Sequence, residues 1–217
     1  MPQFEVIPLS PLDGSNGFAF SVQRDGNPCL LLDAGRGEES PDWIQKGAAH
    51  DTVWISHGHH DHAGALPELL QDHPQIDVVL PAKAASLAAA IAIAGGTDAS
   101  RAHAMFDNAQ KRKFHEPFEL AGGTAIAGPS GHGVGAGLLR IDFDTRAIGY
   151  TGDWALHPRT GTQPAADHKN FMFNEPPGMV WPQYVLLLTS LILCFFIPDA
   201  LYQTIVDAVH AIGGGLQ

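Results

Sequence analysis

The chain has 217 residues, of which 45% are apolar and only 16% are charged. This composition is typical of a globular domain with a substantial core and excludes a disordered chain. The 12 Lys and Arg face 23 Asp and Glu, which gives a formal net charge of −11. That balance excludes general polyanion binding by the whole surface, so any nucleic-acid contact must be local.

The sequence gives three further indications of where the protein works. Cys29 and Cys194 lie far apart in apolar strings, which indicates buried free thiols and a cytoplasmic location. The amino terminus has no basic stretch followed by an apolar run, so no secretory signal is predicted. The longest apolar run, residues 184–197, is shorter than the ~20 residues that a membrane helix needs. We therefore expect a buried element there and no membrane partner.

Strand and helix patterns alternate along the chain. Three short strand patterns at residues 4–9, 18–23 and 29–33 predict an antiparallel meander at the start. The further predicted strands are residues 52–56, 77–80, 124–127, 137–143 and 147–151. The predicted helices are residues 66–70, 84–94, 100–110 and 200–212. The one charge run, Lys111-Arg112-Lys113, is interpreted as a solvated helix face. Together these elements predict a layered α/β or α+β sandwich.

The most informative segment is residues 57–62, which reads His-Gly-His-His-Asp-His at the exit of a predicted strand. Alternate residues of an extended segment point to the same side, so His57 and His59 can hold one metal ion together. Asp61 and His62 lie past a turn and can face a second ion, whereas His60 is expected to point away. A polar loop that is merely rich in histidine is the alternative interpretation.

Two more polar side chains follow predicted strands. His132 stands between two glycines after residues 124–127, and Asp153 follows Gly152 after residues 147–151. A lone His or Asp at a strand end is more often a turn residue, but the upstream histidine segment favours a shared metal site here. The glycine-rich run 131–137 leads into a strand and not into a helix, so it is not interpreted as a phosphate-binding loop.

These residues resemble the metallo-β-lactamase superfamily. Its HxHxDH pattern is matched by His57, His59, Asp61 and His62, and its later histidine and bridging aspartate are matched by His132 and Asp153. The resemblance covers residues 4–154, including a strand end at residues 31–35 that is typical of the family. It implies a four-layer αββα sandwich over residues 1–160, with two metal ions at one edge of the sheets. The implied ions are two Zn²⁺, with Mn²⁺ as the alternative.

Four segments are similar to the β-CASP branch of this superfamily, which processes RNA and DNA. They are residues 63–67, 130–136, 150–153 and 211–215. Residues 161–217 match the family poorly and are interpreted as the possible start of a β-CASP domain. The chain stops before the last metal-binding histidine of that branch, so we expect a sandwich that is incomplete at its carboxyl end and a fragment or truncated protein. His157, His168 and His210 are candidate substitutes for that ligand.

The resemblance implies a binuclear metal-dependent hydrolase in which Asp61 and Asp153 are the catalytic carboxylates. In it His57, His59 and His132 hold one ion, Asp61 and His62 hold the other, and Asp153 bridges them. The first hypothesis is a phosphodiesterase or nuclease acting on RNA or DNA, which the net charge does not support. The alternatives are a small-molecule hydrolase of thioesters, lactones or β-lactams, and a truncated non-catalytic metal-binding protein. Fold analogy alone does not choose among these substrates. A homo-oligomer is a separate expectation.

Overall fold

The computed structural model describes residues 2–12, 15, 17–37, 42–144 and 146–155. The chain divides into two compact units, Met1–Met172 and Phe173–Gln217. All the described residues belong to the first unit. Residues 184–197 and 200–212, for which a buried element and a helix are predicted, lie outside the described ranges, as does Cys194.

The first sheet has six strands, and its two halves differ in direction. The strands are β1 (Phe4–Pro8), β2 (Phe20–Arg24), β3 (Asn27–Leu32), β4 (Thr52–Trp54), β5 (Asp77–Pro81) and β6 (Gln110–Arg112). They lie in the order β1-β2-β3-β4-β5-β6. The pairs from β1 to β3 are antiparallel, as the predicted meander requires, and the pairs from β3 to β6 are parallel. The carboxyl ends of β3, β4, β5 and β6 therefore meet at one edge of the sheet.

Within the described ranges, five helices pack on one face of this sheet. They are α1 (Ile44–Gly47), α2 (His60–Ala63), α3 (Leu66–Asp72), α4 (Ala85–Ala94) and α5 (Ala99–Asn108). Leu31, Val53 and Leu80 of the sheet are fully buried against Leu66, Leu69 and other apolar helix residues. The alanines of α4 allow that helix to lie close to the sheet and to the histidine segment. A Cβ added at Gly58 would come within 2.6 Å of the Ala88 backbone nitrogen.

The second sheet covers the other face of the first. Its four strands are β7 (Pro117–Leu120), β8 (Gly123–Pro129), β9 (Gly137–Phe143) and β10 (Arg146–Tyr150), in the order β10-β9-β8-β7. All its pairs are antiparallel. Strands β8 and β10 therefore run in the same direction and end at the same edge. Trp54, Leu139 and Ile141 are buried between the two sheets.

The predicted mixed α/β sandwich is confirmed. The described residues form one helical layer and two β layers, and the second helical layer stays a prediction. The interpretation of Lys111-Arg112-Lys113 as a helix face is wrong, because α5 ends at Asn108 and β6 pairs parallel with β5 through residues 110–112. Charged side chains suit this position, since β6 is the sheet edge and lysine there discourages pairing with another chain. Helices α1 and α2 and strand β7 were also not predicted. Cys29 is a free, half-buried thiol. No helix in the described ranges has the length and apolar character needed to span a membrane.

Candidate metal centre

The six predicted metal-binding residues come together where the carboxyl ends of strands from both sheets meet. The segment 57–62 follows β4, while His132 follows β8 and Asp153 follows β10. The sheets are joined at this edge, because the Gly137 amide donates to the Ser56 carbonyl at 2.9 Å. His59 keeps an extended backbone, and α2 begins at the next residue. This change of conformation places His57 and His59 in one group and turns Asp61 and His62 into a neighbouring one.

The first group consists of His57, His59, His132 and Asp153, whose potential ligand atoms all lie within 4.8 Å of one another. His57 Nε2 is 3.0 Å from His59 Nδ1, and His132 Nε2 is 3.3 Å from the same atom. Three ligands of a tetrahedral zinc ion with Zn–N bonds of ordinary length lie ~3.3 Å apart. The spacing of these ring nitrogens therefore suits one metal ion.

The second group consists of Asp61, His62 and Asp153. His62 Nε2 is 3.7 Å from Asp61 Oδ2 and 3.3 Å from Asp153 Oδ1. The other Asp153 oxygen, Oδ2, lies 3.2 Å from His132 Nε2 of the first group. The carboxylate of Asp153 thus faces both groups with one oxygen each.

The residues present fit a divalent cation. Among the residues that the structure describes, buried His62 Nε2 has no hydrogen-bond partner, which is unusual for a polar atom in a protein interior unless it has a further role. The set of imidazole and carboxylate donors is the one that zinc prefers, with manganese as an alternative. The two carboxylates are the more exposed members, since the side chain of Asp61 is 47% exposed and that of Asp153 is 38% exposed.

A buried carboxylate lies behind both groups. Asp33 follows β3 and is fully buried. Its Oδ2 accepts hydrogen bonds from His62 Nδ1 at 2.6 Å, from the Tyr150 hydroxyl at 2.6 Å and from Ser56 Oγ at 2.8 Å. Its Oδ1 accepts from the Ser56 backbone N–H at 2.6 Å. Ser56 Oγ is in turn 3.0 Å from His57 Nδ1.

Burial and the neighbouring charges shift the pKa values of three groups here. Burial lowers the pKa of His57 to about 3, and the charge of His62 adds to this effect. Burial also opposes protonation of His62, but the hydrogen bond and charge of Asp33 outweigh it and leave the His62 pKa raised. Burial, followed by the charge of Asp33, holds the pKa of Tyr150 well above its usual value. In the metal-free protein His57 is therefore neutral at pH 7, and Tyr150 keeps its proton.

Two glycines allow the chain segments to approach this closely. A Cβ at Gly35 would lie 1.8 Å from the Asp61 carbonyl oxygen. Gly152 has a φ of +50°, and a Cβ there would lie 2.6 Å from Ser56 Oγ. A side chain at either position would displace the residues that carry Asp61 or Asp153.

The structure also gives the positions of His60 and His132, and sequence reasoning missed three residues that surround the two groups. His60 is exposed and belongs to neither group, as expected. His132, which stands between two glycines, lies beside the histidine segment, with its Nε2 3.3 Å from His59 Nδ1. Asp33, Ser56 and Tyr150 were not predicted as site residues, although Asp33 ends an apolar strand, which was the available signal. His157, His168 and His210, the candidates for a further ligand, lie outside the described residues.

A family model for the metallo-beta-lactamase superfamily matches residues 12–182, which is most of the chain. The chain therefore belongs to this superfamily, as the HxHxDH pattern and the layered sheets predict. The β-CASP branch is not shown by any of the comparisons.

The chain is similar to curated relatives over part of its length. It is 31% identical over 68 residues to a hydroxyacylglutathione hydrolase of Aliivibrio salmonicida, a match that covers 31% of this chain and 27% of that protein. It is 34% identical over 103 residues to a hydroxyacylglutathione hydrolase of Photorhabdus laumondii, covering 47% of this chain and 40% of that protein. The chain thus spans less than half the length of these relatives.

A solved structure is also similar to this chain. The metallo-beta-lactamase fold protein YhfI of Bacillus subtilis has 19% sequence identity and a TM-score of 0.48, and the match covers 70% of this chain and 62% of that one.

Proposed function

We propose that this protein is a metal-dependent hydrolase of small thioesters that holds two divalent cations, with zinc as the expected metal. The observation that carries the proposal is the carboxylate of Asp153, whose two oxygens lie 3.3 Å and 3.2 Å from the Nε2 atoms of His62 and His132. This arrangement suits a carboxylate that is shared by two neighbouring cations. In such sites bound cations lower the pKa of water to about 7 and polarise a carbonyl group.

The buried and the exposed residues of the site have different roles. The buried imidazoles of His57 and His62 are fixed from behind and form the inner wall of the site. The exposed carboxylates of Asp61 and Asp153 lie at the mouth, where they can orient a water molecule toward the thioester carbonyl carbon. Water adds to that carbon, the C–S bond breaks, and a carboxylic acid and a thiol leave.

Two observations favour a thioester over a phosphodiester. The curated relatives described above are named hydroxyacylglutathione hydrolase, and that substrate is a thioester. The net charge of −11 disfavours a phosphate backbone as substrate. The nuclease hypothesis and the β-CASP domain at residues 161–217 receive no support from the comparisons. A nucleic-acid partner, a homo-oligomer and a cytoplasmic location stay predictions.

The experiment compares thioester and phosphodiester cleavage by the purified, zinc-loaded chain. Release of free thiol from an S-hydroxyacylglutathione is followed with a thiol reagent, and single-stranded RNA and an aryl phosphodiester are assayed in parallel. We expect thioester cleavage that falls by roughly 100-fold or more in His132→Ala. The matched control is His103→Ala, which removes an exposed histidine of α5 and should leave the rate unchanged. RNA cleavage without thioester cleavage would overturn the substrate proposal.

A further inference from the structure

Asp33, Ser56 and His62 form a hydrogen-bond network in which the direction of each bond is determined by chemistry. The Ser56 backbone N–H can only donate, so Asp33 Oδ1 must accept. Asp33 Oδ2 accepts from the Ser56 hydroxyl at 2.8 Å and from the Tyr150 hydroxyl at 2.6 Å. These donors stabilise Asp33 as a carboxylate, although it is fully buried.

A carboxylate at this position dictates which nitrogen of His62 carries the proton. His62 Nδ1 lies 2.6 Å from Asp33 Oδ2, and an ionised carboxylate only accepts. Nδ1 must therefore carry the hydrogen. In the neutral ring Nε2 is then left with a free lone pair, and Nε2 is the buried atom that faces Asp61 and Asp153.

The same carboxylate acts on His57 through Ser56. The Ser56 hydroxyl hydrogen is given to Asp33, so the lone pairs of Ser56 Oγ are available to His57 Nδ1 at 3.0 Å. His57 Nδ1 therefore carries a hydrogen as well. Its Nε2, which faces His59 and the first group, is the nitrogen with the free lone pair.

We propose that Asp33 is a positioning residue that sets the tautomers of one histidine in each group, His62 directly and His57 through Ser56, so that both present Nε2 to a metal ion. The consequence for metal binding rests on the proposed metal-dependent function, but the tautomers themselves do not. Asp33 couples the two groups, since one buried carboxylate prepares a ligand for each.

The structure predicts what an uncharged replacement does. In Asp33→Asn the side-chain oxygen must remain opposite the Ser56 backbone N–H, so the amide NH₂ replaces Oδ2. That group donates, which reverses the network. His62 Nδ1 must now accept, and the Ser56 hydroxyl turns its hydrogen toward His57 Nδ1. Both histidines then carry their hydrogen on Nε2, the nitrogen that faces the metal groups.

The test is nitrogen-15 NMR of histidine-labelled, metal-free protein, at a pH high enough for the imidazoles to be neutral. The long-range couplings of each ring identify which nitrogen is protonated. We expect Nδ1–H for His57 and His62 in the original chain and Nε2–H for both in Asp33→Asn. Ser56→Ala should alter the signals of His57 only, which keeps the proposal testable if Asp33→Asn folds poorly. Tyr150→Phe removes a donor to Asp33 without reversing the network, so both tautomers should stay as they are.

A second readout is zinc affinity, measured by competition with a chromogenic chelator. Asp33→Asn should weaken both binding steps by roughly 10- to 100-fold, whereas Ser56→Ala should weaken one step. The inference is overturned if Asp33→Asn leaves both histidines protonated on Nδ1, or if Ser56→Ala changes the tautomer of His62. Neither measurement uses a substrate, so a chain that fails to cleave thioesters can still pass this test.

Discussion

The two sides of the metal centre differ sharply in burial. Asp33, Ser56, His57 and His62 form a buried base with at most 2% exposure. Asp61, His132 and Asp153 form a less buried rim, whose side chains are 47%, 15% and 38% exposed. The imidazoles of the base are held by hydrogen bonds to Ser56 and Asp33, whereas the rim carboxylates are open to solvent. We infer that the base determines where the metal groups lie and that the rim meets the substrate.

The largest expected effect on stability and metal binding comes from a substitution that forces the base and the rim apart. Gly35→Ala would place a Cβ 1.8 Å from the Asp61 carbonyl oxygen, which also accepts from the Phe18 N–H at 2.8 Å. The new Cβ would meet the Asp61 carbonyl oxygen and the Phe18 nitrogen, which are both backbone atoms, so a rotamer change cannot relieve the overlap. We expect the free energy of unfolding to fall by about 3 kcal/mol or more. We also expect metal binding to be lost.

The matched control for this substitution is Gly95→Ala, where the nearest atom would be 3.4 Å from the new Cβ. Urea denaturation and metal analysis of both variants test the expectation. A Gly35→Ala chain as stable as Gly95→Ala would contradict the close packing of the segments 33–36 and 60–62.

The next prediction separates the ligand roles of base and rim. His57→Ala should abolish metal binding at the first group and with it all hydrolysis. It should also destabilise the metal-free protein, because Ser56 loses a buried partner. His132→Ala removes a ligand from the rim and should impair metal binding with little change in metal-free stability.

Elemental analysis after removal of loosely bound ions, combined with urea denaturation in a chelator, measures both effects. Hydrolysis retained by His57→Ala would show that the metal assignment is wrong. Equal metal-free stability of the two variants would contradict the division into base and rim.

The metal-ligand candidates were predictable from the sequence, but the residues behind them, Asp33, Ser56 and Tyr150, were not. The HxHxDH spacing places His57, His59, Asp61 and His62 within six residues of one another, so the local chain geometry alone brings these four together. The link between Tyr150 and Asp33 joins residues 117 positions apart. Tyr150 lies within the strand pattern of residues 147–151 and has the character of an ordinary sheet residue, and nothing in the spacing indicates its hydroxyl partner.

The error at Lys111-Arg112-Lys113 has a different physical origin. Three charged residues carry no periodicity, so pattern alone does not distinguish an exposed helix face from an edge strand. The parallel pairing of β6 with β5, which decides the matter, is a tertiary contact.

The pH dependence of metal-free stability reports on the base. The folded pKa of His57 is lowered to about 3, so the unfolded chain binds a proton below about pH 6.5 that the folded chain does not. Stability from this group is therefore present above pH 6.5 and is lost as the pH falls, at up to about 1.4 kcal/mol per pH unit. The pKa of His62 is raised, so its contribution is complete below pH 6.5 and is lost only at higher pH.

Urea denaturation in the presence of a chelator, between about pH 6.5 and pH 4, measures this slope. Carboxylates also contribute to the pH dependence of the free energy of unfolding. Because the original chain and His57→Gln have the same carboxylates, the difference between the two slopes reports on His57. We expect the free energy of unfolding to depend less steeply on pH in His57→Gln, with about one proton fewer taken up on unfolding. Identical slopes would show that His57 is exposed to water in the metal-free protein.

The smallest expected effect lies just outside the rim. Arg36 forms an ion pair with Glu68 at 2.8 Å, and the two side chains are 31% and 44% exposed. Both line a groove of ≈ 820 Å³ beside His60, on the side of α2 that faces away from the metal groups. Exposed ion pairs contribute only about 0–1 kcal/mol. The Arg36 backbone N–H still donates to the His60 carbonyl when the side chain is shortened, so the support of α2 persists. Arg36→Ala should therefore leave zinc affinity and thioester cleavage within about twofold of the original chain. A larger loss of cleavage at unchanged zinc affinity would extend the substrate-binding region beyond the rim and into this groove.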